Sequence, residues 1–560
     1  MSLPLITLGV LLVLVAGYAV YGRFVARALG LDDARVTPAH ALRDGTDYVP
    51  TRPFYLFAQH FSAIAAAGPI AGPILACQAF GWLPCLLWIS VGVVLIGAVH
   101  DAATLAASVR HGGRSVADIC REEVGPRAGL AMLAFIWLAL LFVIVAFADI
   151  TAGTFVTGPE ELAGLQPGFH PGGAVAAASV LYLLLALALG AVQRLLAPPL
   201  WAVTLLVVPV IFGAAWAGTW ISELLLPGRA AWGLLILAYC GVASVLPVWA
   251  LLQPRGYLGG FVLYAALAIG LFGVLAGGHE IRQPAFKGWE TAGTAGALFP
   301  FLFVTIACGA CSGFHGLVCS GTTSKQLDRE SHARVVGYGA MLAEGLVAVI
   351  ALATVMILSP AESAGLQPGT IYGQGIGRFL AQVLGPEHLA FATTFGAMAF
   401  STFVFDTLDV STRLGRLILQ ELFGWRGRAG ALAATLITLA VPAWMLLFTD
   451  EGGWKLYWTL FGASNQLLAA LSLLVVTVWL ARARRPVTFT LLPLAFVLGI
   501  TLWALLRLAA DGLRRAQGLD AAAVNALAAA ALVALALVLV AAAARRLVDE
   551  RRAAARSLRS

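Results

Sequence analysis

Charge is scarce in this sequence. Asp, Glu, Lys and Arg make up 11% of its 560 residues, against about 25% in soluble domains. Hydrophobic residues make up 60% and the mean hydropathy is +0.90. A water-soluble chain of this composition would expose more apolar surface than its polar residues can cover, so lipid is the expected solvent. The strand alternation of apolar and polar residues is also lacking, which excludes a barrel and leaves helices. No Walker lysine motif, HExxH or GxSxG occurs. Their absence argues against an ATP-driven pump and against the hydrolases those motifs mark, and the chain is read as a non-enzyme. Cysteine is sparse as well. The 7 cysteines lie mostly inside apolar runs and offer no disulfide framework. Cys308-x-x-Cys311 has the spacing of a redox or metal motif, yet it sits mid-span without a second pair. Small residues at a helix crossing explain it better, and neither a metal nor a cofactor is expected. Gly373-Gln374-Gly375-Ile376-Gly377 has no strand before it and so does not read as a nucleotide loop.

What the sequence does have is long uncharged runs. Ala128–Ala148, Pro199–Thr219 and Ala521–Ala544 are each enough for the roughly 20 residues a bilayer needs. Hydropathy predicts about fifteen spans, starting near residues 3, 55, 82, 128, 172, 199, 231, 256, 296, 334, 388, 429, 454, 487 and 521. The formal charge of +7 does not point to nucleic acid, because the cations alternate by loop. Arg23 to Arg52, Arg110 to Arg127, Arg194, Arg255, Lys325 to Arg334, Arg413 to Arg428, Arg482 to Arg485 and the tail from Arg545 to Arg559 fall on one side. The other side holds only Arg229, Arg282, Lys287, Arg378, Lys455, Arg507, Arg514 and Arg515. The positive-inside rule then predicts an outside N-terminus and a cytoplasmic C-terminus in a bacterial inner membrane. Leu3–Val20 lacks a basic leader and a cleavage site and reads as a retained helix.

Two predicted helices are broken at mid-membrane. Residues 55–77 carry Ala65-Ala66-Ala67-Gly68-Pro69-Ile70-Ala71-Gly72-Pro73, and 298–320 carry Cys308-Gly309-Ala310-Cys311-Ser312-Gly313-Phe314-His315-Gly316. Gly and Pro weaken a helix, and at that depth a break is tolerated where it lines a cavity or packed site. An odd number of spans separates the two starts, so they run in opposite directions. The organisation predicted is an N-terminal helix and basic cytoplasmic loop (1–54), a five-helix repeat (55–219), two linking helices (220–295), an inverted five-helix repeat (296–480) and C-terminal helices with a basic tail (481–560). Phe147-Ala148-Asp149-Ile150-Thr151 and Thr407-Leu408-Asp409-Val410-Ser411 occupy matching third helices. Inverted repeats with discontinuous first helices mark secondary transporters, with the site at the breaks.

Specific motifs carry a family resemblance. Gly17-Tyr18…Tyr21-Gly22-Arg23-Phe24, Asp44-Gly45-Thr46-Asp47-Tyr48-Val49-Pro50, Gln59-His60-Phe61, Gly97-Ala98-Val99-His100-Asp101, Ser312-Gly313-Phe314-His315, Ser320-Gly321-Thr322-Thr323 and Thr407-Leu408-Asp409 resemble the carbon starvation protein A family over most of residues 15–470. The resemblance implies a fold similar to the amino acid–polyamine–organocation (LeuT-like) group with extra helices. It also implies import of pyruvate or short peptides during carbon starvation, coupled to protons. The chain departs from the long members in its shorter length, in its C-terminal spans, and in having thiols at Cys308, Cys311 and Cys319.

Candidate residues follow from the breaks and from ionisable groups within spans, which are expensive in lipid and so read as functional. Half-helix N-termini near Pro69 and Gly313 point positive dipole ends at one place and favour a carboxylate. The expected substrate-binding residues are Gln59, His60, Ala67, Gly68, Pro69, Ser312, Gly313, His315 and Gly316. Asp149, Glu344, Asp406 and Asp409 are the expected proton carriers, with Asp409 foremost; an i,i+4 pair of Asp409 with Arg413 is the competing reading. Ser411 and Thr412 would serve a sodium ion instead. His100 and Asp101 are assigned to gating or helix-end packing. Asn465 and Gln466 are expected to bond across helices. A sodium-coupled amino acid or carboxylate transporter and a membrane carboxylate sensor are the alternatives.

Overall fold

The computed structural model describes residues 2–161, 168–196, 198–224, 226–247, 249–290, 296–448, 454–518 and 520–557; Arg559 of the basic tail lies outside them. Among the described residues the chain is helical, with isolated bridges at Thr51–Leu327 and Glu290–Ala297 as its only extended pairings. Twelve helices are long and apolar enough to cross a membrane, and one bent pair makes a thirteenth. The two other predicted spans are present as shorter pieces.

In chain order the helices are α1 (Leu3–Leu29), the bent pair α2 (Pro53–Ile64) and α3 (Gly68–Phe80), α4 (Trp82–Arg110), the short α5 (Val116–Glu123), α6 (Pro126–Phe155), α7 (Pro171–Leu196) and α8 (Leu200–Trp220). Then come α9 (Arg229–Val245), α10 (Leu252–Ala276), the short α11 (Leu298–Thr305) and α12 (Gly313–Gly321), and α13 (Arg334–Met356). The last six are α14 (Pro368–Leu384), α15 (Leu389–Phe423), α16 (Gly427–Leu447), α17 (Trp454–Arg482), α18 (Thr488–Arg515) and α19 (Ala521–Ser557). α14 was not expected. Four of its 17 residues are glycine, and together with Arg378 they deprive it of the apolar signature of a span. Gly373–Gly377 lies inside this buried helix, packed on α15.

α6 and α15 form the centre and lie against each other. α6 also packs on α9, α16 and α17, and α15 packs on α9, α10 and α16. The second halves of the broken helices sit on neighbours of their own: α3 on α13 and α12 on α4. These approaches need small residues. A Cβ at Gly72 of α3 would lie 2.6 Å from the Thr305 carbonyl oxygen, and one at Gly313 of α12 would lie 2.6 Å from the Ala469 amide of α17. Glycine at these points lets backbones meet where any side chain would hold them apart.

Candidate functional site

The first break comprises Ala65–Ala67 between α2 and α3, with the two helix axes at 45°. Ala65 has ψ 49°, and α3 starts at Gly68 with Pro69 in its first turn, where the missing N–H leaves no helix bond unmade. The non-helical stretch is therefore narrower than the predicted break motif Ala65–Pro73, because the new helix already begins at Gly68-Pro69. The second break spans Ile306–Ser312, with Ser312 extended (φ −117°, ψ 129°) ahead of Gly313. The breaks meet: a Cβ at Gly68 would run into the Cys308 thiol. Ala67, Gly68, Pro69, Ser312, Gly313 and Gly316 are all buried.

The start of α12 has a cap from another helix. Asn465 Oδ1 of α17 accepts the Phe314 N–H at 2.9 Å, while its Nδ2 donates to Ser312 Oγ at 3.1 Å and Cys308 Sγ at 3.2 Å. This side chain satisfies one of the orphan amides that the sequence assigned wholly to substrate. Gln466 donates to the Phe303 carbonyl at 3.3 Å, and its buried Oε1 has no partner among the described residues. Cross-helix bonding was legible for both; the capping role was not.

Beside α12 lies a closed acid–imidazole cluster. His315 Nδ1 meets Asp101 Oδ2 at 3.0 Å and His315 Nε2 meets Glu344 Oε2 at 3.2 Å. The second contact is an ion contact without the alignment of a hydrogen bond, since neither Glu344 oxygen has such a partner. Both ring nitrogens face carboxylates, so an imidazolium at His315 would serve both acids. His100 Nδ1 bonds Asp101 Oδ1 at 2.7 Å, and its buried Nε2, close to Gly316, has no partner among the described residues. His60 Nδ1 bonds Thr323 Oγ1 at 2.9 Å, with its Nε2 3.8 Å from Cys319 Sγ. His60, His100, Asp101, His315, Cys319 and Glu344 are each at most 1% exposed. Asp101 and His100, expected to serve gating or helix-end packing, thus join the half-helix cluster. Gln59 does not reach it. It is exposed while His60 is buried, because successive residues on a helix point about 100° apart.

A second buried cluster surrounds Arg255 at the start of α10. Its Nη2 pairs with Asp406 Oδ1 and its Nε lies 3.1 Å from Asp409 Oδ2, which also accepts the Tyr239 hydroxyl at 2.8 Å. The Tyr182 hydroxyl donates to the Arg255 carbonyl at 2.8 Å. The Asp409–Arg413 pair is not formed. Arg413 turns to the Leu246 carbonyl, and Arg255 holds the acid instead. Asp149 is paired with Arg229 at 2.9 Å. Ser411 is buried with no hydroxyl partner among the described residues, and Thr412 lies beside the Cys240 thiol. Arg255 was read as a loop cation. The signal for it was indirect: two acids one helical turn apart in an apolar helix need a countercharge.

With this geometry established, comparison with known proteins assigns the family. The family described as Carbon starvation protein CstA matches residues 1–374 and 364–504. The chain belongs to that family. A CstA-family relative in Mycobacterium tuberculosis, named peptide transporter CstA, is 36% identical over 82% of this chain and 69% of its own length. The pyruvate/proton symporter BtsT of Escherichia coli is 33% identical over 88% of this chain and 80% of its own. A Bacillus subtilis peptide transporter CstA is 32% identical over 89% of both. Among solved structures, an Eremococcus coleocola manganese transporter aligns with a TM-score of 0.49 at 14% identity, covering 91% of this chain and 99% of that one. The CstA-family chain is a multi-pass membrane transporter and not an enzyme.

Proposed function

We propose that this protein imports a small carboxylate-bearing solute, pyruvate or a short peptide, together with protons. The observation that carries the reading is His315 held between Asp101 and Glu344 within the first turn of the second half-helix. Two acids share one imidazolium there, and a proton added to Glu344 removes its claim on His315. The freed imidazolium and the half-helix ends then favour a substrate carboxylate. Proton and substrate so become mutually dependent, which is the requirement for symport. Glu344 is favoured over Asp409 as the carrier, because Asp409 is already tied to Arg255 and Tyr239. The names of the relatives support peptide and pyruvate as candidates.

The packing supports an inverted repeat with a revised boundary. Exchanging α6 with α15, α9 with α16, α10 with α17, α3 with α12 and α13 with α4 maps the packing of α6 and α15, and that of α3 and α12 on α13 and α4, onto one another. The units favoured are therefore α2–α10 and α11–α17, with α7 and α8 as an inserted hairpin, in place of a first repeat ending at 219. Counting α9 and each broken helix as one span, and α5 and α14 as none, keeps fifteen crossings, an outside N-terminus and a cytoplasmic C-terminus.

The unpartnered Ser411 hydroxyl keeps a sodium-coupled reading as the second. Uptake into proteoliposomes separates them. An inward proton gradient should concentrate labelled pyruvate or a dipeptide without sodium. Accumulation that needs a sodium gradient and ignores pH would overturn proton coupling.

A further inference from the structure

We propose that His60, Asp101 and Cys319 form a Zn2+ site that locks the transporter in its closed state. Their donor atoms, one from each residue, all lie within 4.8 Å of one another. The His60 Nε2 to Cys319 Sγ separation is 3.8 Å; tetrahedral zinc with ordinary Zn–N and Zn–S bonds sets its nitrogen and sulfur about 3.6 Å apart. A shift of a few tenths of an ångström brings the pair into register.

The surroundings fit as well. His60 Nδ1 faces Thr323 Oγ1 at 2.9 Å. With the Nδ1 proton donated there, the Nε2 lone pair is left pointing at the cysteine, the orienting arrangement usual behind metal-bound imidazoles. Asp101 keeps free lone pairs, since each oxygen accepts one bond and has room for a second. On binding, the Cys319 S–H bond breaks, sulfur gives its electron pair to zinc and the proton leaves to solvent. Zn2+ and the His315 imidazolium then face three anions: the Cys319 thiolate, Asp101 and Glu344. The cluster is neutral.

The three ligands come from α2, α4 and α12, which are the first half of one broken helix, the second half of the other, and the helix packed on that half. Zinc would therefore cross-link three helices at the breaks and hinder any movement between them. This locking rests on the transport reading above; metal binding does not.

The purified protein in nanodiscs, titrated with ZnCl2 and separately with CoCl2, tests it. One metal per chain is expected, with a thiolate-to-cobalt charge-transfer band. Cys319→Ala should lose the band and bind Zn2+ at least about 10-fold more weakly, and Thr323→Val should weaken binding by about 10-fold to 100-fold. Cys311→Ala, a buried thiol outside the site, should bind as wild type. In proteoliposomes Zn2+ should inhibit wild-type uptake, while Cys319→Ala, folded as judged by its melting curve, should transport and resist zinc. No bound metal, or binding unchanged in Cys319→Ala, would overturn the site. Binding without inhibition of a transporting protein would overturn the lock.

Discussion

Neutralising Asp409 should damage folding more than coupling. Asp409 is 0% exposed and Arg255 1%, and their ion contact of 3.1 Å is joined by the Tyr239 hydroxyl at 2.8 Å. Asp409→Asn leaves a buried guanidinium with Asp406 as its one remaining acid. Breaking a buried pair by removing one partner costs about 3–5 kcal/mol. The lower bound alone is a factor of more than 100 in the folded-to-unfolded ratio, since about 1.4 kcal/mol is tenfold. Tyr239→Phe removes one hydrogen bond and keeps the ion pair, so about 0.6–1.7 kcal/mol is expected from cross-helix bonds in membranes. Arg255→Met with Asp409→Leu removes both charges at similar volume and should lie closer to wild type than either single change. Reversible unfolding in mixed detergent–SDS micelles measures these variants and the single changes Arg255→Met and Asp409→Leu. The order expected is Asp409→Asn worst, then Tyr239→Phe, with a double-mutant coupling between residues 255 and 409 above about 2 kcal/mol. An Asp409→Asn protein of unchanged stability that has lost proton-driven accumulation would refute the structural role and restore Asp409 as the carrier.

Three further outcomes are expected. Asn465→Ala should cost about 1 kcal/mol through the lost cap on α12 and should raise the KM for uptake, measured by initial rates across substrate concentrations. Cys308→Ser with Cys311→Ala should leave transport largely intact, because both are small residues at a crossing; abolished uptake in a well-folded variant would show that a thiol is required. Glu362, in the loop between α13 and α14, is opposed by burial but held down to about 2 by Ser359 hydrogen bonds and the Arg378 guanidinium. A depressed carboxyl stabilises above its unfolded value near 4.5 and loses that contribution as pH falls toward 2. Wild type minus Glu362→Gln melting curves should therefore show a difference of about 1 kcal/mol at pH 7 that shrinks below pH 4.

The helices and both breaks were legible because burial in lipid demands unbroken apolar runs, so Gly68-Pro69 and Ser312-Gly313 stand out against them. His60, His315 and Glu344 were legible for the same reason, since an ionisable group within a span is anomalous wherever it points. Partnership was not legible. Nothing in the spacing says that α10 brings Arg255 to Asp409, or that α4 carries Asp101 to His315, because those pairs lie 154 and 214 positions apart and meet only through helix packing. Gln59 failed for the opposite reason: adjacency to His60 in sequence places it on another face. α14 was missed because a short buried helix rich in glycine lacks the apolar signature on which span detection rests.

The most direct measurement is Glu344→Gln, reconstituted and assayed twice on the same preparation. Glutamine imitates the protonated acid, leaving His315 free for substrate while removing the titrating group. A coupling role for Glu344 requires counterflow within about 10-fold of wild type and no accumulation driven by an inward proton gradient. Full proton-driven accumulation by Glu344→Gln would contradict it.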